Sequence, residues 1–272
     1  FEVVNGALGR SLTDVVFGGP DDELRKTINA QPAVMAVSLA CMRALQELSG
    51  SDPLSGVKFL AGHSLGEYTA LAASGVLDIA DTAILVQERA RLMQEACEKS
   101  PGAMAAVIGL DEIVMEQISQ ETGIAISNVN TSDQIVVSGE RVSVAQALDL
   151  AQARGARRTA MLPVGGAFHS KLMEPAREGL LNVIESMEFS EPKIPIVANC
   201  TAEPLKSAED IKRELLCQLC GCVQWKRSID FMIGSGVKQF VELGPGRVLT
   251  GLVKRIDRKS VATAVSVSDK ES

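Results

Sequence analysis

A serine between two glycines, at a junction of strand-like and helix-like sequence, restricts the fold more than any other feature of this chain. The motif is Gly62-His63-Ser64-Leu65-Gly66; an apolar run at 57–60 precedes it, and a helical stretch that ends at Gly75 follows. Glycines beside the serine allow a sharp turn that lifts the hydroxyl away from the backbone. N–H groups at the start of the following helix would point towards an oxyanion beside Ser64. The pattern predicts a nucleophile elbow in an α/β protein, with an ordinary strand-to-helix turn as the alternative.

Length and charge bound the class of protein. With 272 residues, the chain can bury a sizeable core in one large domain or two modest ones. The net charge of −7 and the isoelectric point near 5.1 argue against nucleic acid as a partner. No apolar run has the length of a membrane span, and no secretory or lipidation signal is visible. We therefore expect a soluble cytoplasmic protein that does not act at a membrane.

Three cysteines, Cys217, Cys220 and Cys222, form a C-x2-C-x-C pattern. A tetrahedral metal site needs four ligands at suitable spacing, and no histidine or fourth cysteine lies close to these three in the sequence. We therefore expect reduced, partly buried thiols and no metal site, with a metal centre as the alternative.

Residues 103–163 follow a different pattern from the sequence on either side. Strand-like and helix-like segments come in the order strand, helix, strand, strand, helix, strand, at 103–109, 111–122, 124–129, 134–138, 142–154 and 157–162. This is the split βαβ order of a ferredoxin-like α+β unit. Pro101-Gly102 and the segment 163–166 border it, as in an insertion on short linkers. We predict a small subdomain at 102–163, inserted into a large subdomain formed by 1–101 and 164–272.

The rest of the sequence alternates between helical and strand-like segments. The clearest helix is at 79–98, where apolar residues recur every three or four positions on one face. Further helices are predicted at 33–48 (with Pro32 at the first helical position), 173–187, 208–217 and 248–256, and strands at 194–199 and 237–243. Strands separated by helices imply a mainly parallel sheet covered by helices on both faces, as in hydrolase-like α/β proteins.

The serine needs a general base, and the sequence offers two histidines. His63 adjoins Ser64, so its side chain leaves the elbow in a different direction. His169 is therefore the candidate base by elimination, with a capping or packing role as the alternative. Either a carboxylate or a backbone carbonyl could accept the Nδ1 proton of His169 and orient the ring, and spacing does not decide between them.

Arg89 is the third candidate site residue. On the helix at 79–98 it shares a stripe with Leu85 and Leu92, at the border of the apolar face. A guanidinium that is half-buried near a nucleophile would bind a carboxylate through two hydrogen bonds. The alternative is an arginine that lies on the rim of the helix with its charge in water.

These motifs together resemble those of the malonyl-CoA:acyl carrier protein transacylases of fatty-acid synthesis and the related acyltransferase domains of polyketide synthases. The resemblance covers nearly the whole chain. Five separated segments in the family's order carry it: 62–68, 87–89, 130–139, 166–170 and 242–246.

The resemblance implies a catalytic dyad of Ser64 and His169. It also implies that the main-chain carbonyl of Gln218 orients the histidine, that the N–H of Leu65 stabilises an oxyanion, and that Arg89 holds the malonyl carboxylate. Members of the family begin with a strand and a G-Q-G-x-Q loop that supplies the second oxyanion donor. Because the sequence starts at Phe1 without such a loop, we expect this segment to be absent from the front of the chain.

The resemblance further implies what surrounds the dyad. Phe168 precedes His169 as in malonyl-selective members, and His63 belongs to the substrate-binding site. Malonyl-CoA is the substrate, no cofactor is implied, and the partner is an acyl carrier protein. Carrier proteins are acidic, so Lys254 and Arg255 are candidate contacts, with a solvated helix end as the alternative. We expect a monomer.

Two alternatives to acyl transfer are open at this point. A thioesterase or esterase of the α/β-hydrolase type would use the same elbow, but that class places its histidine late, after an acidic partner. Here no histidine follows His169, and a ferredoxin-like insertion separates it from Ser64, which favours transfer. The second alternative is a carrier-binding module without catalytic activity.

Overall fold

The computed structural model describes residues 1–265, which form a large α/β part and a small α+β part. The helices are α1 (Glu2–Leu8), α2 (Leu12–Gly18), α3 (Asp21–Arg25), α4 (Thr27–Ser49), α5 (Leu65–Ser74), α6 (Ile79–Lys99), α7 (Glu112–Thr122), α8 (Arg141–Ala153), α9 (Glu174–Glu185), α10 (Ala208–Cys220), α11 (Trp225–Gly234) and α12 (Val248–Ile256). The strands are β1 (Leu60–Ala61), β2 (Ala103–Ile108), β3 (Ala125–Thr131), β4 (Gln134–Gly139), β5 (Arg158–Met161), β6 (Ile196–Val197), β7 (Pro204–Leu205), β8 (Gln239–Leu243) and β9 (Val261–Val265).

The strands of the large part are mainly parallel, as predicted. β1 pairs in parallel with β6, Leu60 lying opposite Ile196, and β7 adds to β6 in the antiparallel direction. β8 pairs in parallel with β9. Helices α4, α5, α6, α9 and α10 supply most of the buried apolar side chains around β6. The predicted α/β class is confirmed, although β1 and β6 have only two residues each and are shorter than predicted.

A groove of about 1000 Å³ separates β1 from β8. The segments 57–62 and 238–245 line its two sides, and Phe59, Trp225 and Phe240 are among its apolar walls. Within residues 1–265, β1 and β8 each pair with one other strand only. In the described residues, 57–59 lie along the groove and pair with no strand. β1 is therefore shorter than the apolar run at 57–60 from which it was predicted.

The small part has the predicted β-α-β-β-α-β order. Its antiparallel sheet has the strand order β3-β4-β2-β5, and α7 and α8 pack on it around a separate apolar core. Asp111 caps α7, since its carboxylate accepts the N–H of Val114 at 2.9 Å. This arrangement confirms the ferredoxin-like unit. The boundaries at 102 and 163 stay a prediction.

The prediction that Pro32 begins a helix is wrong. α4 begins at Thr27, so Pro32 lies inside it. A proline in this position cannot bond the carbonyl of Ile28, four residues earlier. The guanidinium of Arg10 donates to that carbonyl at 3.2 Å instead. The carbonyl of Ile28 therefore has a donor although the proline cannot supply one.

α4 bears on the prediction that no apolar run has the length of a membrane span. By length and composition, its 23 residues could cross a membrane, with a mean hydropathy of 1.2 over the most apolar 18. However, 56% of that window is buried within the protein, where α4 packs against α5 and α6. Burial in the core accounts for the apolar composition of this helix.

Candidate active site

Ser64 and His169 come together across 105 positions of sequence. The Oγ atom of Ser64 lies 2.8 Å from Nε2 of His169. Ser64 precedes the first residue of α5 and has a positive φ of 52°, a conformation that side chains rarely adopt. The serine therefore lies at a strained turn between β1 and α5, as the elbow pattern predicts.

The two glycines of the elbow differ in what the packing requires of them. A Cβ atom on Gly62 would lie 1.9 Å from the backbone carbon of Gly66, so only glycine fits there. A Cβ on Gly66 would meet nothing within 4 Å. The first glycine is thus a steric requirement of the turn, and the second is not.

Two buried side chains hold the elbow from outside. Asn199, just after β6, accepts the N–H of Ser64 at 2.7 Å and donates to the carbonyl of Gly62 at 2.8 Å. Gln218, on α10, donates from its side-chain amide to the carbonyl of Ser64 at 2.9 Å. These bonds compensate for the strained backbone of the serine.

A backbone carbonyl orients His169. Its Nδ1 lies 2.7 Å from the main-chain oxygen of Gln218. Of the two acceptors that the sequence left open, a carboxylate or a backbone carbonyl, the structure therefore has the carbonyl. Because a carbonyl only accepts, Nδ1 carries the proton, and Nε2 presents its lone pair to the Ser64 hydroxyl. Burial, together with the positive charge of Arg89, lowers the pKa of His169 to about 3. The imidazole is therefore neutral at neutral pH and able to accept the serine proton.

Arg89 lies in the interior beside Ser64, not on the rim of its helix. It is 1% exposed, and its Nη2 atom lies 3.2 Å from Oγ of Ser64. Nη1 of Arg89 donates to the side-chain oxygen of Gln31, and Nη2 donates to that of Gln218 at 3.0 Å. The ring of Tyr68 lies 4.9 Å from the guanidinium.

The charge of Arg89 has no carboxylate of the protein within ion-pair distance in the described part of the chain. Its Nε atom is buried and has no hydrogen-bond partner there. Burial lowers the pKa of Arg89, yet a guanidinium stays protonated in proteins. A buried cation whose acceptors are neutral amides is suited to hold the carboxylate of a bound molecule.

Leu65 is the first residue of α5 and follows Ser64 directly. Within residues 1–265, no acceptor is found for its N–H. A free N–H at a helix start, next to Ser64, suits one donor of an oxyanion hole.

The remaining predicted residues lie around this centre. His63 donates from Nε2 to the side-chain oxygen of Asn130 at 2.9 Å, and burial lowers its pKa. Phe168 is half-buried against the core of the large part. Lys254 and Arg255 are exposed in the last turn of α12, and no hydrogen bond or ion pair described here joins them to Ser64.

The cysteines of the C-x2-C-x-C pattern do not converge on a common point. Cys220 Sγ lies 3.2 Å from a carboxylate oxygen of Glu174, and Cys217 is exposed. Over residues 1–265, no cluster of three or more histidine, cysteine, aspartate or glutamate side chains could hold a metal ion.

Comparison with known proteins identifies the family. The acyl transferase domain family matches residues 2–269. The chain belongs to the acyl transferase family. The malonyl CoA-acyl carrier protein transacylase of Bacillus subtilis is 39% identical over 271 residues, which cover 98% of this chain and 84% of the relative. The resemblance found in the sequence is thereby confirmed.

Solved structures agree with this acyltransferase in fold. An acyl-carrier-protein-S-malonyltransferase from Bartonella henselae superposes with a TM-score of 0.94 at 41% identity, covering 99% of this chain and 87% of that one. A malonyl-transacylase in complex with a type II polyketide synthase acyl-carrier protein has a TM-score of 0.93 at 40% identity, covering 98% and 86%.

Sequence reasoning did not assign three polar residues of this acyltransferase's site. Asn199 holds the elbow, Gln31 holds Arg89, and Glu67 holds both Asn199 and Gln218. Asn199 could have been found, because it is the last residue of a strand that is predicted to lie in the same parallel sheet as the strand before Ser64. Glu67 stands directly after the elbow motif, but nothing in its spacing indicated what it contacts. Gln31 gave no signal, since it lies in a largely apolar helix.

Proposed function

We propose that this chain transfers a malonyl group from malonyl-CoA to the phosphopantetheine thiol of an acyl carrier protein, through an ester on Ser64. The relatives named above as malonyl transacylases support this substrate and this acceptor. The observation that carries the proposal is the distance of 3.2 Å between Nη2 of Arg89 and Oγ of Ser64. It puts a buried cation next to the nucleophile, where the free carboxylate of a malonyl ester needs a partner.

In the first half-reaction, Oγ of Ser64 attacks the thioester carbon of malonyl-CoA while Nε2 of His169 takes the hydroxyl proton. The C–O bond forms, and the carbonyl electrons move onto the oxygen, beside the N–H of Leu65. When the oxyanion collapses, the C–S bond breaks and His169 gives its proton to the departing sulfur. The carbonyl of Gln218 stabilises the transient imidazolium through Nδ1.

The second half-reaction repeats these steps with the carrier protein. The phosphopantetheine thiol gives its proton to Nε2 of His169 and attacks the ester carbon of malonyl-Ser64. The C–O bond to Ser64 then breaks, and the proton returns to Oγ. Between the two halves, Arg89 holds the malonyl carboxylate, so the ester stays in the orientation that the second thiol needs.

The second donor of the oxyanion hole comes, as the resemblance implies, from a strand and loop seated in the groove between β1 and β8. The groove's apolar walls support this, and so do its contacts with the elbow, since His63, Leu65 and Gly66 line it. A chain that carries the strand and G-Q-G-x-Q loop of a relative at its N-terminus should load malonyl faster and unfold at a higher temperature. Equal loading and equal unfolding temperature would contradict this placement.

The carrier protein and the setting belong to the same proposal. Lys254 and Arg255 are exposed cations on α12 of the large part, suited to an acidic partner. Reversing both charges should raise the KM for the carrier protein and leave loading from malonyl-CoA unchanged. We further infer a monomer that works in the cytoplasm and needs no cofactor.

Intact-mass measurement after mixing with malonyl-CoA tests the reaction class. A stable malonyl adduct that is lost in Ser64→Ala and passes to an added carrier protein is the expected result. Rapid release of free malonate would indicate a hydrolase. Neither adduct nor turnover would indicate a carrier-binding module.

A further inference from the structure

Glu67 is a buried carboxylate that the reaction steps above do not use. It is 0% exposed, three residues after the nucleophile, on α5. One oxygen accepts the backbone N–H of Asn199 at 2.9 Å, and the other accepts the side-chain amide of Gln218 at 2.5 Å. Both partners of Glu67 are residues that hold the elbow of Ser64.

The side-chain amide of Gln218 has a single orientation that satisfies its neighbours. Its nitrogen faces two acceptors, the carbonyl of Ser64 and the carboxylate of Glu67, whereas its oxygen faces Nη2 of Arg89. If the amide turned over, its oxygen would face the carbonyl of Ser64, and its N–H groups would face the guanidinium. The orientation of this amide therefore decides whether Nη2 of Arg89 has a second acceptor besides Oγ of Ser64.

We propose that Glu67 is a positioning residue whose carboxylate fixes the Gln218 amide, so that its oxygen holds the Arg89 guanidinium beside Ser64. This inference rests on the proposed function, because it assigns Glu67 to the preference for an acyl group that carries a carboxylate.

The chemistry of position 67 requires two acceptors. A glutamine there has one oxygen and one NH2 group, so it can accept from Asn199 only by turning its NH2 towards the NH2 of Gln218. If the Gln218 amide turns over in response, its oxygen faces the carbonyl of Ser64 and its NH2 group faces the guanidinium of Arg89. Neither pair can form a hydrogen bond. No arrangement of two neutral amides satisfies all of these partners.

The same contacts favour the ionised form of Glu67. Burial and the neighbouring Glu214 raise its pKa well above the ordinary value, and the donors from Asn199 and Gln218, together with Arg89, limit this rise. Each oxygen receives one N–H donor, and such donors stabilise a carboxylate more than a carboxylic acid. The negative charge of Glu67 is thus linked to the positive charge of Arg89 through one intervening amide.

Loading of Ser64 from malonyl-CoA and from acetyl-CoA, each followed by intact mass, tests the role of Glu67. In Glu67→Gln, the ratio of the malonyl to the acetyl loading rate should fall about tenfold, because a hydrogen bond to a charged group is weakened. Acetyl loading should change much less, since the side-chain oxygen of the introduced glutamine can still accept the N–H of Asn199. An equal loss for both acyl groups, or an unchanged ratio, would overturn the proposal.

Glu214→Gln is the matched control. It removes another buried carboxylate, which accepts the N–H of Cys200 at 2.7 Å and makes no hydrogen bond to Gln218 in the described residues. Its loading ratio should stay at the wild-type value. A fall equal to that of Glu67→Gln would mean that buried charge matters and that the amide orientation does not, which contradicts the proposal.

A double-mutant cycle tests the route through Arg89. In an Arg89→Ala background, Glu67→Gln should not lower the ratio further, because no guanidinium is left to position. An additional fall would overturn the route. If Glu67→Gln does not fold, Gln218→Met provides the test, since it removes the same acceptor and should lower the ratio as well. Wild-type protein that loads neither acyl group would instead contradict the proposed function itself.

Discussion

The side-chain oxygen of Asn199 lies 2.7 Å from the backbone nitrogen of Ser64, across 135 positions of sequence. These two residues follow neighbouring parallel strands, β6 and β1, so the pairing of the strands brings the asparagine to the elbow. Asn199 also donates to the carbonyl of Gly62 at 2.8 Å and thereby spans the whole turn. A backbone with a positive φ at a non-glycine residue persists only where such contacts fix it.

Asn199→Ala should therefore lower both stability and activity. The buried N–H of Ser64 and carbonyl of Gly62 would lose their partner, which costs about 1–3 kcal/mol for each unsatisfied group. We expect a lower urea midpoint and malonyl loading slower by about tenfold or more. Asn199→Asp is the control, because it keeps an acceptor for Ser64 and should retain more of the loading rate. Equal loss in both variants would contradict the role of this acceptor.

The two glycines of the elbow should respond differently to alanine. Gly62→Ala places a methyl group 1.9 Å from the backbone of Gly66 and should destabilise the fold by about 3 kcal/mol or more. Gly66→Ala meets no atom within 4 Å and lies in a helix, so its stability should equal or exceed that of the wild type by up to about 1 kcal/mol. Chemical denaturation of both variants is the measurement. A tolerated Gly62→Ala would contradict the close approach.

Arg89→Ala should change the choice of acyl group. Without the guanidinium, malonyl loading should fall about tenfold to a hundredfold, because a charge-assisted contact with the carboxylate is lost. Acetyl-CoA carries no such carboxylate, so its loading should be equal or faster. Intact mass after timed mixing gives both rates, and Arg89→Lys shows whether charge alone suffices. A parallel loss for both acyl groups would contradict the carboxylate role.

Catalysis should persist to unusually acidic pH. Because burial and Arg89 lower the pKa of His169 to about 3, the base stays neutral far below its ordinary value of 6.5. The loading rate should therefore show no fall around pH 6.5, and its acid limb should lie at lower pH. In Arg89→Gln, one cause of the lowered pKa is removed, so the limb should move to higher pH. An acid limb centred near 6.5 in the wild type would contradict the neutral, buried imidazole.

The same shift predicts how stability depends on pH. Between pH 6.5 and about 3, the unfolded chain binds a proton at His169 that the folded chain does not bind. This residue therefore reduces the free energy of unfolding as the pH falls through that window, by up to about 1.4 kcal/mol for each pH unit. From pH 7 to pH 4, the free energy of unfolding of the wild type should fall relative to that of His169→Gln. A difference that does not change with pH would contradict the prediction.

Short-range patterns in the sequence were enough to predict the elements that carry the site. The Gly62–Ser64 elbow, the helix with Arg89 and the strand and helix order of the small part follow from turn residues and from apolar periodicity. These signals are local, because they depend on residues within a few positions of each other. Local signals failed at Pro32, which lies inside α4, where the side chain of Arg10 donates to the carbonyl that the proline leaves free.

The tertiary structure alone decided how the polar groups around Ser64 are arranged. Sequence indicated Ser64 and His169 as a pair, but the burial of Arg89 and the contacts of Asn199 and Glu67 depend on α5, α6, α10 and β6 packing together. Residues up to 154 positions apart share these hydrogen bonds. A buried polar group must find a partner wherever the fold brings one, so its partner is a property of the packed chain and not of its neighbours in sequence.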